Sequence, residues 1–227
     1  MRPELRRVGN SQSPVVIVDE FSGALDRVLE MADSLAPYPE QTNYYPGVRR
    51  VIGQDDAAAD AYVQETCERA AQFIGGAFDI DRFDLVEGGF SIVTRRPSEL
   101  SPPQRAPHFD TTDPKHLALL HYLRVPPGSG TAFYRQRSTG IERVTEENLA
   151  AFLGNAKAEA ARVAPGSGYI NDSDEFYEQI GAVEAMPDRL IIYQGSLLHS
   201  GIIPPDMNFS ADPREGRLTA NLFVRGH

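Results

Sequence analysis

Short apolar runs bounded by turn residues recur along the chain and indicate β-strands. The first is "PVVIVDEF" at 14–21, and the runs become dense from residue 117 onward. The later runs are "LALLHYLRV", "GTAFYR", "RLIIYQG" and "RLTANLFVR", each bounded by Gly, Pro or Asp. This spacing predicts a set of short antiparallel strands. The stretch "FDLVEGGFSIVT" at 83–94 predicts two more strands around a Gly-Gly bend.

Apolar residues at helical spacing occur mainly in the first third of the chain. Ser22 precedes one such stretch and is expected to cap a helix that ends before Pro37. The other predicted helices cover about 58–74, ending at Gly75-Gly76, about 146–163 and about 174–184.

Helices in front of a series of short strands predict an α+β, mainly β fold. A jelly roll with supporting N-terminal helices is the expected closed form. We predict an N-terminal tail over 1–13 and a single domain over 14–227. Within that domain, the helical support covers about 22–76 and the core strands about 83–225.

Charge and cysteine usage narrow the possible partners and compartments. The formal net charge of −10 argues against a nucleic-acid partner, which needs a basic surface. Residues 95–143 nevertheless hold eight Lys/Arg against four Asp/Glu, which indicates an anionic ligand near this segment. Cys67 is the only cysteine, so we expect no intrachain disulfide and a cytoplasmic location. The apolar runs are too short for a membrane span, and no membrane partner is expected.

His108 and Asp110 are the first candidate ligands for a metal ion. They lie two residues apart in "APHFDTTD", and side chains at that spacing leave an extended strand on the same face. His199, in "QGSLLHSG" directly after an apolar strand, is the candidate third ligand. Two histidines and one carboxylate form a facial triad typical of non-haem Fe(II) oxygen chemistry.

Arg217 and Tyr122 are candidates for binding a carboxylate near that metal. Arg217 opens the strand "RLTANLFV", and an arginine at the mouth of a strand can bind a carboxylate through two hydrogen bonds. Tyr122, in "LLHYL", could donate another hydrogen bond to the same group.

The order of these motifs resembles the Fe(II)/2-oxoglutarate-dependent dioxygenases, and most closely their prolyl-hydroxylase-like branch. The resemblance covers roughly residues 14–225 and runs from "VVIVDEF" through "HFD", "LALLHYLRVPPGSGTAFYR" and "DRLIIYQGSLLHSG" to "RLTANLFV". The chain is also similar to a bacterial group of that superfamily that has no assigned function.

The resemblance implies a double-stranded β-helix core and an iron centre. His108, Asp110 and His199 would be the Fe(II) ligands. Arg217, assisted by Tyr122, would hold the distal carboxylate of the co-substrate 2-oxoglutarate. The expected reaction is hydroxylation of a small molecule or peptide, with release of succinate and carbon dioxide.

One interval departs from the pattern of the prolyl-hydroxylase branch. The distal histidine and the arginine are separated by 18 residues here, about twice the family's interval, because of the segment at 202–216. Arg214 and Arg225 are therefore alternative anchors for the carboxylate. We favour Arg217 because the alternating strand begins there.

Four residues are candidates for contacting the substrate. Arg135 and Arg137 alternate along one strand and could bind an acidic or carboxylate-bearing substrate. Tyr44 and Tyr45, in a turn-rich loop, could line a substrate channel.

Two other functions fit the same motifs. The three ligands could instead hold zinc in a cupin-like or hydrolytic enzyme that does not use 2-oxoglutarate. Alternatively, the jelly roll could be a non-catalytic binding module that retains the pocket. The sequence indicates neither the substrate nor the oligomeric state.

Overall fold

The strands and helices of the chain are taken from a computed structural model that describes residues 1–41, 44–53, 55–164 and 166–227. The helices of this described part are α1 (Leu25–Ser34), α2 (Ala57–Phe78) and α3 (Leu149–Ala160). Its strands are β1 (Arg2–Val8), β2 (Ser13–Asp19), β3 (Gly47–Val51), β4 (Phe83–Val93), β5 (His116–Arg124), β6 (Gly130–Gln136), β7 (Tyr177–Glu184), β8 (Arg189–Gln194), β9 (His199–Ile202) and β10 (Leu218–Gly226). The protein is therefore mainly β, as predicted.

The strands form two antiparallel sheets. The major sheet has seven strands in the order β1-β2-β8-β5-β10-β4-β3, and the minor sheet has three in the order β7-β6-β9. Both sheets contribute side chains to one buried cluster, which includes Ile17 and Ile191 from the major sheet and Phe133 and Val183 from the minor sheet. The two sheets therefore face each other across a shared core.

Helices α1 and α2 cover the other face of the major sheet. Val63 and Ile74 of α2 pack in the same buried cluster as Leu222 of β10 and Ile192 of β8. The apolar spacing that predicts these helices reflects this contact, because one face of each helix is buried against the sheet. In the ranges described above, no helix is long and apolar enough to cross a membrane.

The N-terminal segment, predicted as a tail over 1–13, instead contains strand β1. Arg2 pairs with Asp19 at one end of the β1-β2 ladder, and Val8 pairs with Ser13 at the other. β1 is an edge strand whose side chains are almost all exposed, so it lacks the apolar alternation that reveals a buried strand.

Two predictions that relied on paired glycines are wrong. β4 runs unbroken through Gly88 and Gly89 instead of bending there, and α2 continues through Gly75 and Gly76. In β4, a Cβ atom at position 89 would lie 2.9 Å from the backbone oxygen of Arg50 on the neighbouring strand. The glycine thus allows close backbone approach between β3 and β4 and does not mark a turn.

The other departures concern single elements. The segment predicted as a helix over about 174–184 contains strand β7, which pairs with β6 across a bulge between Phe133 and Tyr134. The short strands β3 and β9 were not predicted at all. Helix α1 begins three residues after Ser22, whose hydroxyl donates a hydrogen bond to Asp188 and accepts one from the Ala24 N–H.

We predict that alanine changes the free energy of unfolding in opposite directions at Gly89 and Gly76, one glycine from each pair. Gly89→Ala should lower the free energy of unfolding by about 1–3 kcal/mol, because the added methyl group meets the backbone of β3. Gly76→Ala, where nothing lies within 4 Å, should raise it by up to about 1 kcal/mol through helix propensity. Chemical denaturation of both variants measures this, and equal effects would contradict the close-approach explanation.

Candidate metal centre

The three predicted metal ligands meet at one end of the space between the two sheets. His108 and Asp110 lie in the segment before β5, and His199 is the first residue of β9. The His108 N–H donates to the His199 carbonyl oxygen at 2.9 Å, and the His199 N–H donates to the His108 carbonyl oxygen at 2.8 Å. The Asp110 N–H donates to the carbonyl oxygen of Gly195 at 2.7 Å. These backbone bonds position all three side chains.

The distances between the ligand atoms fit a single metal ion. One candidate atom from each side chain lies within 4.8 Å of the other two. The Nε2 atoms of His108 and His199 lie 3.9 Å and 3.8 Å from Oδ1 of Asp110. Two ligands about 2.1 Å from one ion and at right angles lie about 3 Å apart, so a small inward movement brings the three to bonding distance.

The protonation states also suit metal binding. Nδ1 of His199 lies 2.7 Å from the carbonyl oxygen of Leu197, which accepts its proton and leaves Nε2 as the free lone pair. Burial lowers the pKa of His199 to about 4. Enclosure by the protein and the neighbouring His199 lower the pKa of His108 to about 4, although its side chain is open to the cavity. Both imidazoles are therefore neutral at pH 7 and able to bind a cation.

The triad opens into a cavity of about 480 Å³ between the sheets. Arg217 lies in the wall of this cavity, just before β10, and is 6% exposed. Its guanidinium lies over the ring of Tyr122, with 5.8 Å between Cζ and the ring centroid. Its Nη2 donates a long hydrogen bond of 3.4 Å to the carbonyl oxygen of Gly130. Its Nε is buried without a hydrogen-bond partner in the described part of the chain.

A buried arginine with an unpartnered Nε offers a binding site for an anion. An unsatisfied buried donor costs about 1–3 kcal/mol, and more when the group is charged. A carboxylate that entered the cavity would remove this cost by accepting two parallel hydrogen bonds from the guanidinium. The residues present therefore fit a bound metal ion and a carboxylate-bearing small molecule in one cavity.

The alternative anchors, Arg214 and Arg225, lie outside the cavity wall. Arg214 is exposed and pairs with Asp212 at 3.4 Å. Arg225 is also exposed and donates to Asp113 at 2.8 Å. Of the three arginines considered from the sequence, only Arg217 faces the cavity.

Tyr122 lies beside Arg217, but its hydroxyl has a different partner from the predicted one. The side chain is fully buried, and the hydroxyl lies 2.7 Å from the Thr131 hydroxyl in a hydrogen bond. Burial raises the pKa of Tyr122 to about 12, so the hydroxyl keeps its proton. Thr131, and not Tyr122, lies in the cavity wall. Tyr122 thus contacts the guanidinium with its ring, and its hydrogen-bond partner Thr131 places a hydroxyl in the cavity wall.

The structure brings two of the four candidate substrate residues to the cavity. Tyr44 and Tyr45 line it. Arg135 is instead held by Glu142 at 2.9 Å, and Arg137 donates to the carbonyl oxygen of Asp174 at 3.0 Å. The alternation along β6 led to the expectation for these two arginines, but acceptors away from the cavity bind their guanidinium groups.

The sequence analysis missed several cavity residues, among them Thr131, Tyr169, Arg49 and Tyr193. Arg49 lies on β3, a strand that was not predicted, so its inward position had no visible pattern. Tyr193 lies on β8, where it alternates with the inward-facing Ile191, and its ring contacts His199 with centroids 4.8 Å apart. The alternation in "RLIIYQG" could have identified Tyr193, because it places this tyrosine on the same face as Ile191.

The chain belongs to a family whose function is unknown. A family model described as "Family of unknown function (DUF6445)" matches residues 1–224. A comparison with curated protein sequences finds no match.

Solved structures of similar fold include enzymes that use 2-oxoglutarate. The epimerase SnoN from nogalamycin biosynthesis, described as a non-heme alpha ketoglutarate dependent enzyme, is 12% identical, with a TM-score of 0.56 over 95% of this chain and 79% of SnoN. HygX from Streptomyces hygroscopicus, with nickel and 2-oxoglutarate bound, is 10% identical, with a TM-score of 0.58 over 95% and 84%. The viral collagen prolyl hydroxylase vCPH from Paramecium Bursaria Chlorella virus-1 is 13% identical, with a TM-score of 0.50 over 94% and 96%. The chain therefore shares the fold of these enzymes.

We predict that Gly195→Ala weakens binding of a divalent metal without unfolding the protein. An added Cβ would lie 3.0 Å from Oδ2 of Asp110 and 2.8 Å from Cδ2 of His116, so it would push the carboxylate out of place. We expect a loss of affinity for Ni(II) of about ten- to a hundredfold, the usual effect of disturbing groups that orient a ligand. Isothermal titration with Ni(II) measures the affinity.

Gly154→Ala is the control, because nothing lies within 4 Å of that position. Ni(II) affinity equal to that of the wild type in Gly195→Ala would contradict the expected displacement of Asp110 and count against its role as a metal ligand.

Proposed function

We propose that this protein is a non-haem Fe(II)- and 2-oxoglutarate-dependent dioxygenase that hydroxylates a small molecule or peptide with release of succinate and carbon dioxide. We further propose that its two facing sheets are the double-stranded β-helix of that class and that it works in the cytoplasm. One observation carries the proposal. The His108, Asp110 and His199 triad shares a cavity with the buried, incompletely paired Arg217.

Within this proposal, His108, Asp110 and His199 hold Fe(II) on one face and leave its other coordination positions to ligands from the cavity. Bound iron and 2-oxoglutarate together supply the oxidising chemistry. The chain keeps both imidazoles neutral and contributes one carboxylate, which offsets part of the charge of the cation. A zinc site for hydrolysis gives no specific role to Arg217, whereas the distal carboxylate of 2-oxoglutarate would pair with its Nε, so we favour the 2-oxoglutarate reaction.

Arg217 is the proposed partner of the distal carboxylate of 2-oxoglutarate. Its guanidinium is fixed by the carbonyl oxygen of Gly130 and by the ring of Tyr122, so little conformational entropy is lost when an anion binds. The hydroxyl of Thr131 lies in the cavity wall and can donate to the same carboxylate. Arg217 is 6% exposed, and charged hydrogen bonds are stronger where little water reaches them.

The proposal predicts that the purified protein binds Fe(II) and 2-oxoglutarate in sequence. Anaerobic titration with Fe(II) and then 2-oxoglutarate should produce a visible metal-to-ligand charge-transfer band. Asp110→Ala and His199→Ala should lack this band and release no succinate in air, because each removes one of three ligands. His227→Ala is the control, since His227 is exposed and pairs with Asp84 far along the chain from the triad. Tight zinc binding without the band in the wild type would instead favour a zinc enzyme.

The proposal also predicts which arginine binds 2-oxoglutarate. Arg217→Ala should raise the dissociation constant for 2-oxoglutarate by at least about tenfold, because a bidentate charged pair is lost. Fe(II) affinity should stay the same, since Arg217 does not touch the triad. Arg225→Ala should leave both constants unchanged. Titration of each Fe(II)-loaded variant with 2-oxoglutarate measures the effect, and a loss in Arg225→Ala alone would identify the other anchor.

A further inference from the structure

Arg49 is a second cation in the cavity, and the proposed binding of iron and 2-oxoglutarate does not use it. It lies on β3, the edge strand of the major sheet, and its side chain is 11% exposed. Its Nε donates to the Ser91 hydroxyl at 3.1 Å, and its Nη2 donates to Glu87 at 2.8 Å. The guanidinium also lies 5.9 Å from the ring centroid of Tyr45. These contacts fix the guanidinium in the cavity wall, and Nη1 has no acceptor among the described residues.

The position of Arg49 separates it from the proposed 2-oxoglutarate site. In the sheet register, Arg49 pairs with Ser91, Ser91 with Thr219, and Thr219 with Tyr122. Three strand spacings of about 4.8 Å thus separate the backbone of Arg49 by about 14 Å from that of Tyr122, over whose ring Arg217 lies. Tyr193, which contacts the metal ligand His199, lies on β8, one strand farther. A five-carbon diacid that binds the metal and Arg217 over the ring of Tyr122 would leave the guanidinium of Arg49 for another molecule.

The net charge of the cavity wall also favours binding of a further anion. Its charged residues, within the described ranges, are Arg49, Arg217 and the carboxylate of Asp110. A divalent metal and the dianion of 2-oxoglutarate would leave one positive charge over. Glu87, whose Oε1 lies 2.8 Å from Nη2 of Arg49, offsets this charge from outside the cavity wall and is itself 37% exposed.

The walls around Arg49 are aromatic. Tyr45 lies beside Arg49, and Tyr169 lines the same cavity. Both belong to one apolar cluster with Val93 and Ile203, and both are also within electrostatic range of Arg217. Burial raises the pKa of Tyr45, and the Tyr169 hydroxyl donates to the carbonyl oxygen of Arg95 at 2.7 Å. Flat tyrosine faces pack against rings, while the guanidinium binds an anionic group.

We propose that Arg49 selects a substrate that carries a carboxylate next to a ring, and binds that carboxylate through Nη1 while Tyr45 and Tyr169 contact the ring. This inference rests on the proposed function, because it assigns Arg49 to the substrate only if metal and 2-oxoglutarate occupy the other half of the cavity. We choose a carboxylate over a phosphate because one guanidinium with one open edge offers few donors to a dianion.

Three small probes test the assignment on protein loaded with Ni(II) and 2-oxoglutarate. Phenylacetate carries a ring and a carboxylate, phenylacetamide is its neutral counterpart, and phenyl phosphate carries the competing anion. Titrations followed by NMR should show that phenylacetate binds the wild type at least about tenfold more tightly than phenylacetamide. Tighter binding of phenyl phosphate than of phenylacetate would overturn the carboxylate assignment.

Variants assign this preference to Arg49. Arg49→Gln should abolish the preference for phenylacetate over phenylacetamide, and Arg49→Lys should retain part of it. Glu87→Gln should strengthen phenylacetate binding, because it removes the carboxylate that competes for the guanidinium. Arg27→Gln is the charge-matched control, since Arg27 is an exposed residue of α1, outside the cavity wall. An unchanged preference in Arg49→Gln, or an unchanged affinity in Glu87→Gln, would contradict the proposal.

Uptake of Ni(II) and 2-oxoglutarate separates this inference from the proposed function. Arg49→Gln should take up both as the wild type does, and loss of 2-oxoglutarate binding would overturn the inference by making Arg49 a co-substrate ligand. Failure of the wild type to bind 2-oxoglutarate would count against the proposed function. The probe titrations would then be repeated on metal-free Arg217→Gln protein. A preference for phenylacetate that disappears when Arg49→Gln is added would still support an anion site at Arg49.

Discussion

The pair of backbone hydrogen bonds between His108 and His199 is the constraint on which the candidate site depends. These bonds join the segment before β5, in the major sheet, to the first residue of β9, in the minor sheet. Because each residue both donates to and accepts from the other, the two imidazoles are held side by side, with ring centroids 4.3 Å apart. The bond from Asp110 to the carbonyl oxygen of Gly195 then sets the third ligand. The metal site is thus built where the two sheets are joined.

The interior of the protein has an apolar region on the helix side of the major sheet and a region lined with polar groups between the sheets. On the helix side of the major sheet, the cluster is almost wholly apolar and includes Val63, Ile74 and Leu222. Between the sheets, apolar packing gives way to the triad, Arg217 and Arg49 around the cavity. A cation buried in this way is costly without an anion, so the arrangement is better explained by ligand binding than by stability.

The shared fold agrees with enzymes that differ in outcome, since SnoN is an epimerase and vCPH a prolyl hydroxylase. Fold alone does not decide which reaction a chain performs. In this protein, the residues that we propose for substrate selection, Arg49, Tyr45 and Tyr169, line the same cavity as the triad but are not among its candidate metal ligands.

Local patterns in the chain predicted the buried strands and the two N-terminal helices, because neighbouring residues alone express alternation and helical period. The set of His108, Asp110, His199 and Arg217 was predicted from strand context, from the order of motifs far apart in the chain and from the resemblance that this order carries. Strand β1, the unbroken β4, strand β7 and the inward position of Arg49 could not be predicted in this way. Strand β1 depends on pairing with β2, the next strand in the chain. The others depend on a partner distant in the chain: the backbone of Arg50 for Gly89, β6 for β7, and β4 for β3. Only tertiary pairing supplied the hydrogen bonds that decided these elements.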